Sequence, residues 1–255
     1  MLIRWTELSY PDLGAYRDQA AVMINFASTE QHSLHLPVGT DAFLGAAVTE
    51  RAAELCHRPV LLLPQVCFGY SPHHRFAPGY VTMPQHLLKE YAVSTCENVI
   101  ANGFSQMFLV NSHGGNQVYL SAAVNEIGEK HGTEFQLREL QYWDVARERI
   151  SAIRESELGG MGHAGEFETS MMMYLRPDLV QEEKIVPCGP VAERPWFQKD
   201  LLGSKAYQRF HRFDEDNREG HIGQPQLATA QKGKAFFESE GEGDPIRILE
   251  NGFRT

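Results

Sequence analysis

Three short stretches of this 255-residue sequence gather imidazoles and carboxylates in patterns that could carry a reaction. In the first, Glu30-Gln31-His32 sets a carboxylate and an imidazole two residues apart, so an extended backbone projects both to one face. Asp41 follows at the start of a helical pattern, placed either to cap that helix or to turn back on the pair. In the second, Asn111-Ser112-His113-Gly114-Gly115-Asn116 ends an apolar run, and its two glycines let the backbone pass close to a crevice into which the imidazole points. In the third, Gly162-His163-Ala164-Gly165-Glu166-Phe167-Glu168-Thr169-Ser170 opens a helix with an acidic first turn. One of Glu166 and Glu168 there serves the helix dipole.

Together the stretches supply Glu30, His32, Asp41, His113 and one glutamate near position 168. Such nitrogen and oxygen donors suit zinc or manganese, and the surplus of carboxylates predicts two divalent ions sharing Asp41, roughly 3.5–4 Å apart. The chemistry expected of that site is metal-assisted hydrolysis, in which a bridging water becomes hydroxide at neutral pH and attacks a carbonyl carbon. Imidazole titrates near working pH, so His163 is the candidate proton donor to the leaving nitrogen; its simpler alternative role is to orient a ligand.

Residues on three separate stretches meet only if the fold collects them. AVMINF over 21–26, Val60 to Leu63 and MFLV over 107–110 are continuous apolar runs of strand length, as in strands buried on both faces, and 134–140 is a fourth candidate. Between and after them, 41–55, 84–100, 117–130 and 142–155 repeat apolar residues at helical spacing. The alternation predicts an α/β fold, a three-layer α/β/α arrangement with a mostly parallel central sheet, whose strand carboxyl ends form the active-site edge. The whole of 1–255 reads as one domain. Positions 181–224 are irregular and rich in Pro, Gly and charge, expected as an active-site rim or oligomer contact, and a helix follows over 228–237.

Composition excludes several other classes. The net charge is −10 and no cluster of Lys and Arg is present, which argues against nucleic-acid binding. No apolar stretch approaches the ~18–20 residues of a membrane span, and the first residues lack a signal-peptide pattern, so the expected location is the cytoplasm. Cys56, Cys67, Cys96 and Cys188 form no CxxC pair and suggest neither a disulfide framework nor a cysteine zinc knot.

The three stretches also carry a resemblance. Glu30-Gln31-His32-Ser33-Leu34-His35-Leu36-Pro37-Val38-Gly39-Thr40-Asp41, Asn111 to Asn116 and His163 to Ser170 resemble, in order, the signature of the creatininase (creatinine amidohydrolase) family. Gly69-Tyr70-Ser71-Pro72-His73-His74 is similar to that family's substrate-side loop, and 223–233 to its closing segment. The resemblance implies one ion on Glu30, Asp41 and His113 and a second on His32, the shared Asp41 and Glu168, whose register the Glu-Thr-Ser match fixes. It implies His163 as the catalytic acid, Ser71, His74, Tyr142 and Trp143 as substrate-binding residues, and a homo-oligomer, a hexamer built of dimers. Trp196, Phe197 and His221 are further candidates to reach the pocket from the irregular region.

Departures from the family pattern are Gly115, where the enzyme acting on creatinine has a glutamate, and Ser33 and Ser112, where glycine is usual. They move the expectation away from creatinine itself toward another small molecule with an amide-type C–N bond, a lactam or a formamide. An inositol-derived cyclic ketone is the alternative, and a peptide bond is a further substrate that the resemblance implies. Two other classes, a metal-stabilised binding protein and a nucleotide-handling α/β protein using the His-Gly-Gly turn, fit less well: a structural zinc normally closes four ligands, and no GxGxxG or P-loop lysine is present.

Overall fold

A computed structural model of the protein describes residues 1–190, 197–204, 206–207 and 209–241. Its centre is the strand Ala21–Phe26 (β2), buried along its whole length because both faces are covered. Side chains alternate across a strand. Ala21 and Met23 accordingly enter one core with Leu44, Val48, Phe108, Phe167 and Phe236, and Val22, Ile24 and Phe26 enter another with Leu88, Cys96, Met107 and Leu120. Around β2 lie Leu2–Arg4 (β1), Val60–Leu62 (β3), Gln106–Asn111 (β4) and Gln136–Gln141 (β5), in the order β1-β3-β2-β4-β5 and all parallel.

The helices Thr40–Leu55 (α2), Glu166–Leu175 (α7) and Ala230–Gly241 (α8) cover the first face, and Gln85–Ala101 (α3) and Gln117–His131 (α4) the second. The expected three layers and parallel sheet are thus present. A short helix, Tyr10–Gly14 (α1), precedes β2. A small antiparallel pair, Met161–His163 (β6) with Ile222–Gly223 (β7), stands apart from the main sheet.

Several boundaries differ from the pattern-based expectation. β1 spans three residues, too short for periodicity to register. The helix expected over 142–155 is two, Tyr142–Val145 (α5) and Arg147–Ile153 (α6), because Ala146 leaves helical geometry at φ −103°, ψ 20°. α8 begins at Ala230 rather than 228, since Thr229 acts as its cap and its hydroxyl accepts from the Lys232 N–H at 3.2 Å. Within 181–224 the described residues include β7 and two single-turn helices, Glu182–Lys184 and Phe213–Glu215. No described helix is long and apolar enough to cross a membrane, and the four cysteines are free thiols.

Candidate metal centre

Chain direction through a parallel sheet puts the carboxyl ends of β2 and β4 side by side, and the turns leaving them carry Glu30, His32 and His113. Asp41 does not cap α2; it lies in that helix's first turn and faces inward, 3 % exposed. Its two oxygens are divided between two histidines. Oδ1 lies 3.0 Å from His32 Nε2 and Oδ2 lies 3.1 Å from His113 Nδ1. Glu30 Oε2 is 3.3 Å from the same His113 nitrogen, and Glu168 Oε2 is 4.0 Å from His32 Nε2. Two trios result, Glu30 with Asp41 and His113, and His32 with Asp41 and Glu168, each with its donor atoms within 4.8 Å of one another.

The second nitrogen of each ring fixes which atom faces the centre. His113 Nε2 donates to Tyr70 O at 3.0 Å, leaving the Nδ1 lone pair toward the carboxylates. His32 Nδ1 donates to Glu30 O at 3.2 Å, leaving Nε2 toward Asp41. This is the outer-shell pattern that orients metal-binding imidazoles. Glu30 Oε2 and Asp41 Oδ2 are buried and have no hydrogen-bond partner. Buried carboxylate oxygens are costly unless paired or bound to a cation, and two of them converge with an imidazole lone pair at one point. The donor set therefore fits a divalent ion at each trio.

Electrostatics agree. Burial pulls His32 down, but the charge and hydrogen bond of Asp41 outweigh it and lift the ring to about 9. Burial likewise pulls His113 down, but Glu30 and Asp41 outweigh it and lift the ring well above its ordinary value. Burial beside Asp41 and Glu30 pushes Glu168 up to about 7 despite the opposing charge of His32. The cluster collects positive charge wherever it can.

Glu166 and Glu168 separate cleanly. Glu166 is fully buried, accepts the backbone N–H groups of Glu155 and Ser156 at 2.9 Å each, and pairs with Lys232 Nζ at 2.8 Å. Glu168 accepts from Ala164 N at 2.6 Å and faces His32.

His163 arrives from β6. Its Nε2 donates to Gln31 O at 2.6 Å, its Nδ1 stands 3.6 Å from Glu30 Oε1, and burial holds the ring well below its ordinary pKa. His74 is closer to the centre than a pocket-lining role requires, with Nε2 3.0 Å from Glu30 Oε1. That nitrogen and Ser71 Oγ are buried without a hydrogen-bond partner. Tyr142 and Trp143, at the carboxyl end of β5, lie in the core, with rings 5.1 Å apart and Tyr142 6.0 Å from Phe167. His221 is held through Nδ1 by Ser33 Oγ at 3.1 Å, and Phe197 packs on Tyr207. Trp196 lies outside the described residues.

Three participants escaped the sequence reading. Gln31 side-chain Nε2 reaches His74 Nδ1 at 2.8 Å and Gly220 O at 3.0 Å. Phe213 covers the rings of His73, His74 and His163 at centroid distances of 4.8, 4.6 and 5.1 Å. His73, visible in the His73-His74 pair, groups with Glu30 and His74.

The departures from the family pattern are accommodated locally. Ser33 takes a left-handed φ of 58°, which costs a side-chain-bearing residue, and its N–H donates to Gln31 Oε1 at 2.7 Å. Ser112 Oγ accepts from Asn25 Nδ2 at 3.1 Å and faces Gly45 of α2. Gly115 has no room for a side chain, since a Cβ would lie 2.2 Å from Tyr70 O and 2.4 Å from His113 Nε2.

Comparison with known proteins decides the family. A sequence model described as "Creatininase: Creatinine amidohydrolase" matches residues 6–243. The chain belongs to the creatininase family. Relatives include the mycofactocin precursor peptide peptidase of Mycolicibacterium smegmatis, 30% identical over 89% of this chain and 83% of that one. The creatinine amidohydrolase of Pseudomonas putida is 25% identical over 89% and 88%. The 3-dehydro-scyllo-inosose hydrolase of Thermotoga maritima is 24% identical over 86% and 73%. A creatininase crystal structure superposes with TM-score 0.82 at 25% identity, covering 99% of this chain and 98% of the other. As a creatininase-family member the chain is a metal-dependent amidohydrolase; solved creatininases include manganese and dizinc forms.

Proposed function

We propose that this creatininase-family chain hydrolyses an amide-type C–N bond of a small molecule, a lactam or a formamide, at a dinuclear zinc or manganese site. Glu30, Asp41 and His113 would hold one ion and His32, Asp41 and Glu168 the other. The observation that carries this reading is the division of Asp41's two oxygens between His32 and His113. When bound, the ions supply Lewis acidity and lower the pKa of water at the site.

The protein's own residues do the rest. His163 presents the Nδ1 lone pair to the centre, because Nε2 is occupied in donating to Gln31 O. A ring neutral at working pH accepts a proton from the attacking water at Nδ1 and returns it to the leaving nitrogen. Ser71 Oγ and His74 Nε2, buried and unpartnered, orient the substrate's polar atoms, and Phe213 excludes water above the imidazoles. Tyr142 and Trp143 back the pocket from the end of β5. We read 1–255 as one cytoplasmic domain that assembles with copies of itself, which light scattering of the purified protein tests.

The Thermotoga relative favours a second reading, opening of an inositol-derived cyclic ketone on the same residues. The mycobacterial relative keeps a peptide amide among the candidates. Lactams including creatinine, formamides, short peptides and cyclic polyol ketones, assayed with zinc- and manganese-loaded protein, separate these. Amide turnover that His163→Gln reduces by about 100-fold or more supports the proposal. Ketone opening without amide turnover replaces it with the second reading.

A further inference from the structure

Gln31 sets its backbone oxygen and its side-chain nitrogen against the histidines and the segment that covers them. Its backbone oxygen accepts from His163 Nε2 at 2.6 Å. Its side-chain Oε1 accepts from the Ser33 backbone N–H at 2.7 Å, and a backbone N–H can only donate. That contact fixes which end of the amide is oxygen, so Nε2 carries the two N–H donors. The same nitrogen also lies 3.3 Å from His163 Nε2, but that atom gives its proton to the Gln31 carbonyl at 2.6 Å and so cannot accept; one donor therefore goes to Gly220 O at 3.0 Å, which can only accept, and the other to His74 Nδ1 at 2.8 Å. Gln31 is 5 % exposed and His74 and Gly220 are buried, so water does not offer an alternative partner. A Cβ on Gly220 would fall 2.7 Å from Gln31 Nε2, so the amide and the covering backbone fit closely.

His74 Nδ1 must therefore be the accepting nitrogen, and the ring's proton sits on Nε2, the atom aimed at the centre, which stands 3.0 Å from Glu30 Oε1 without the alignment of a hydrogen bond. His163, held through Nε2–H by the Gln31 carbonyl, presents the opposite polarity, a bare Nδ1. Two neighbouring imidazoles, 4.6 Å apart, thus show the substrate a donor and an acceptor, both set by one residue.

We propose that Gln31 is a positioning residue that holds His74 as an Nε2–H donor, so that the pocket selects an acceptor oxygen of the substrate at that point. Grouping His74 with Glu30 and His73 as a further ion site then fails, because the His74 nitrogen facing Glu30 bears a proton rather than a lone pair. The inference rests on the proposed site for its catalytic consequence but not for the tautomer, which is measured separately.

The test is nitrogen-15 solid-state NMR of histidine-labelled, zinc-loaded protein, with the His74 and His163 signals assigned by their loss in His74→Gln and His163→Gln. Both rings are expected as Nε2–H tautomers in the native protein. Gln31→Glu replaces the donor by an acceptor of the same shape and should move the His74 proton to Nδ1, while His163 keeps its proton on Nε2, since both the main-chain carbonyl at 2.6 Å and a side-chain oxygen in place of the nitrogen 3.3 Å away would accept from that atom. A purely structural role would move both or neither. With substrate, Gln31→Glu should lower kcat by about 100-fold while zinc content stays unchanged, as for a lost donor to a developing oxyanion. Gln31→Met, which offers no hydrogen bond, should leave His74 as a mixture of tautomers and covers the case in which the glutamate variant does not fold. A native His74 protonated on Nδ1, or an unaltered Nε2–H signal in both variants, overturns the proposal. An altered tautomer with no hydrolysis of any amide in the native protein leaves the positioning role standing and sinks the catalytic reading instead.

Discussion

Glu166 and Glu168, two residues apart at the start of α7, face different partners: Glu168 Oε2 lies 4.0 Å from His32 Nε2, and Glu166 Oε1 lies 2.8 Å from Lys232 Nζ. Two positions on a helix differ by about 200° in direction, so one acidic turn can supply both a site residue and a structural ion pair. The two glutamates should consequently fail in different assays. Glu168→Gln is expected to drop bound zinc from about two ions per chain to about one and to cut turnover by more than about 100-fold, with little change in melting temperature. Glu166→Gln should keep metal and activity and lose about 1–3 kcal/mol of stability, a fall of several degrees in melting temperature. Metal analysis and calorimetry on the two variants check this.

Gly115 marks where this chain cannot resemble the creatinine enzyme. A side chain there meets Tyr70 O and His113 Nε2, the two ends of the hydrogen bond that aims His113. Gly115→Glu is therefore expected to supply no extra ligand. It should destabilise by about 1–3 kcal/mol through overpacking and weaken zinc binding about 10- to 100-fold by disturbing the His113 orientation. Competitive titration against a chelator measures the affinity; an unchanged value would show that the Tyr70 contact is unimportant.

A second buried carboxylate anchors the strand that delivers His163. Asp200 Oδ2 accepts from the backbone N–H groups of Gly159 and Met161 at 2.8 and 3.1 Å and pairs with Arg154 at 2.9 Å. Burial alone would raise this carboxyl, but the hydrogen bond and charge of Arg154 outweigh it and hold it below the usual range. A folded pKa below the unfolded ~3.9 means that its stabilisation is present above about pH 3.9 and is lost as pH falls through the folded value. Asp200→Asn should lower stability by about 3–5 kcal/mol at neutral pH and flatten the acid limb of melting temperature below about pH 4. Thermal melts from pH 2.5 to 7 read both effects, and parallel curves for the two proteins would contradict the assignment.

The sheet and helices were legible because β2 and β4 are buried on both faces and α2, α3 and α4 carry apolar stripes. The three clusters were legible because each follows a strand or opens a helix, where the fold must bring chain ends together. What escaped is non-periodic. The β6 and β7 pair has three and two residues, and Phe213 lies in an irregular segment, so no local pattern marks either. Gln31 sits between two conspicuous residues, and alternation would turn it away from both; the chain instead enters a turn at Ser33, whose N–H binds the amide. Tyr142 and Trp143 were legible as an aromatic pair at a strand end, and their rings pack in the core from which they would back the proposed pocket.

The most direct test of the central claim, that Asp41 is shared by two ions, is the metal stoichiometry of protein prepared without chelator and loaded with zinc or manganese. The native chain should hold about two ions, His163→Gln should hold the same, and Asp41→Ala should hold almost none because both trios lose a ligand. A native chain with fewer than about one ion, or an Asp41→Ala chain that retains two, would contradict the account.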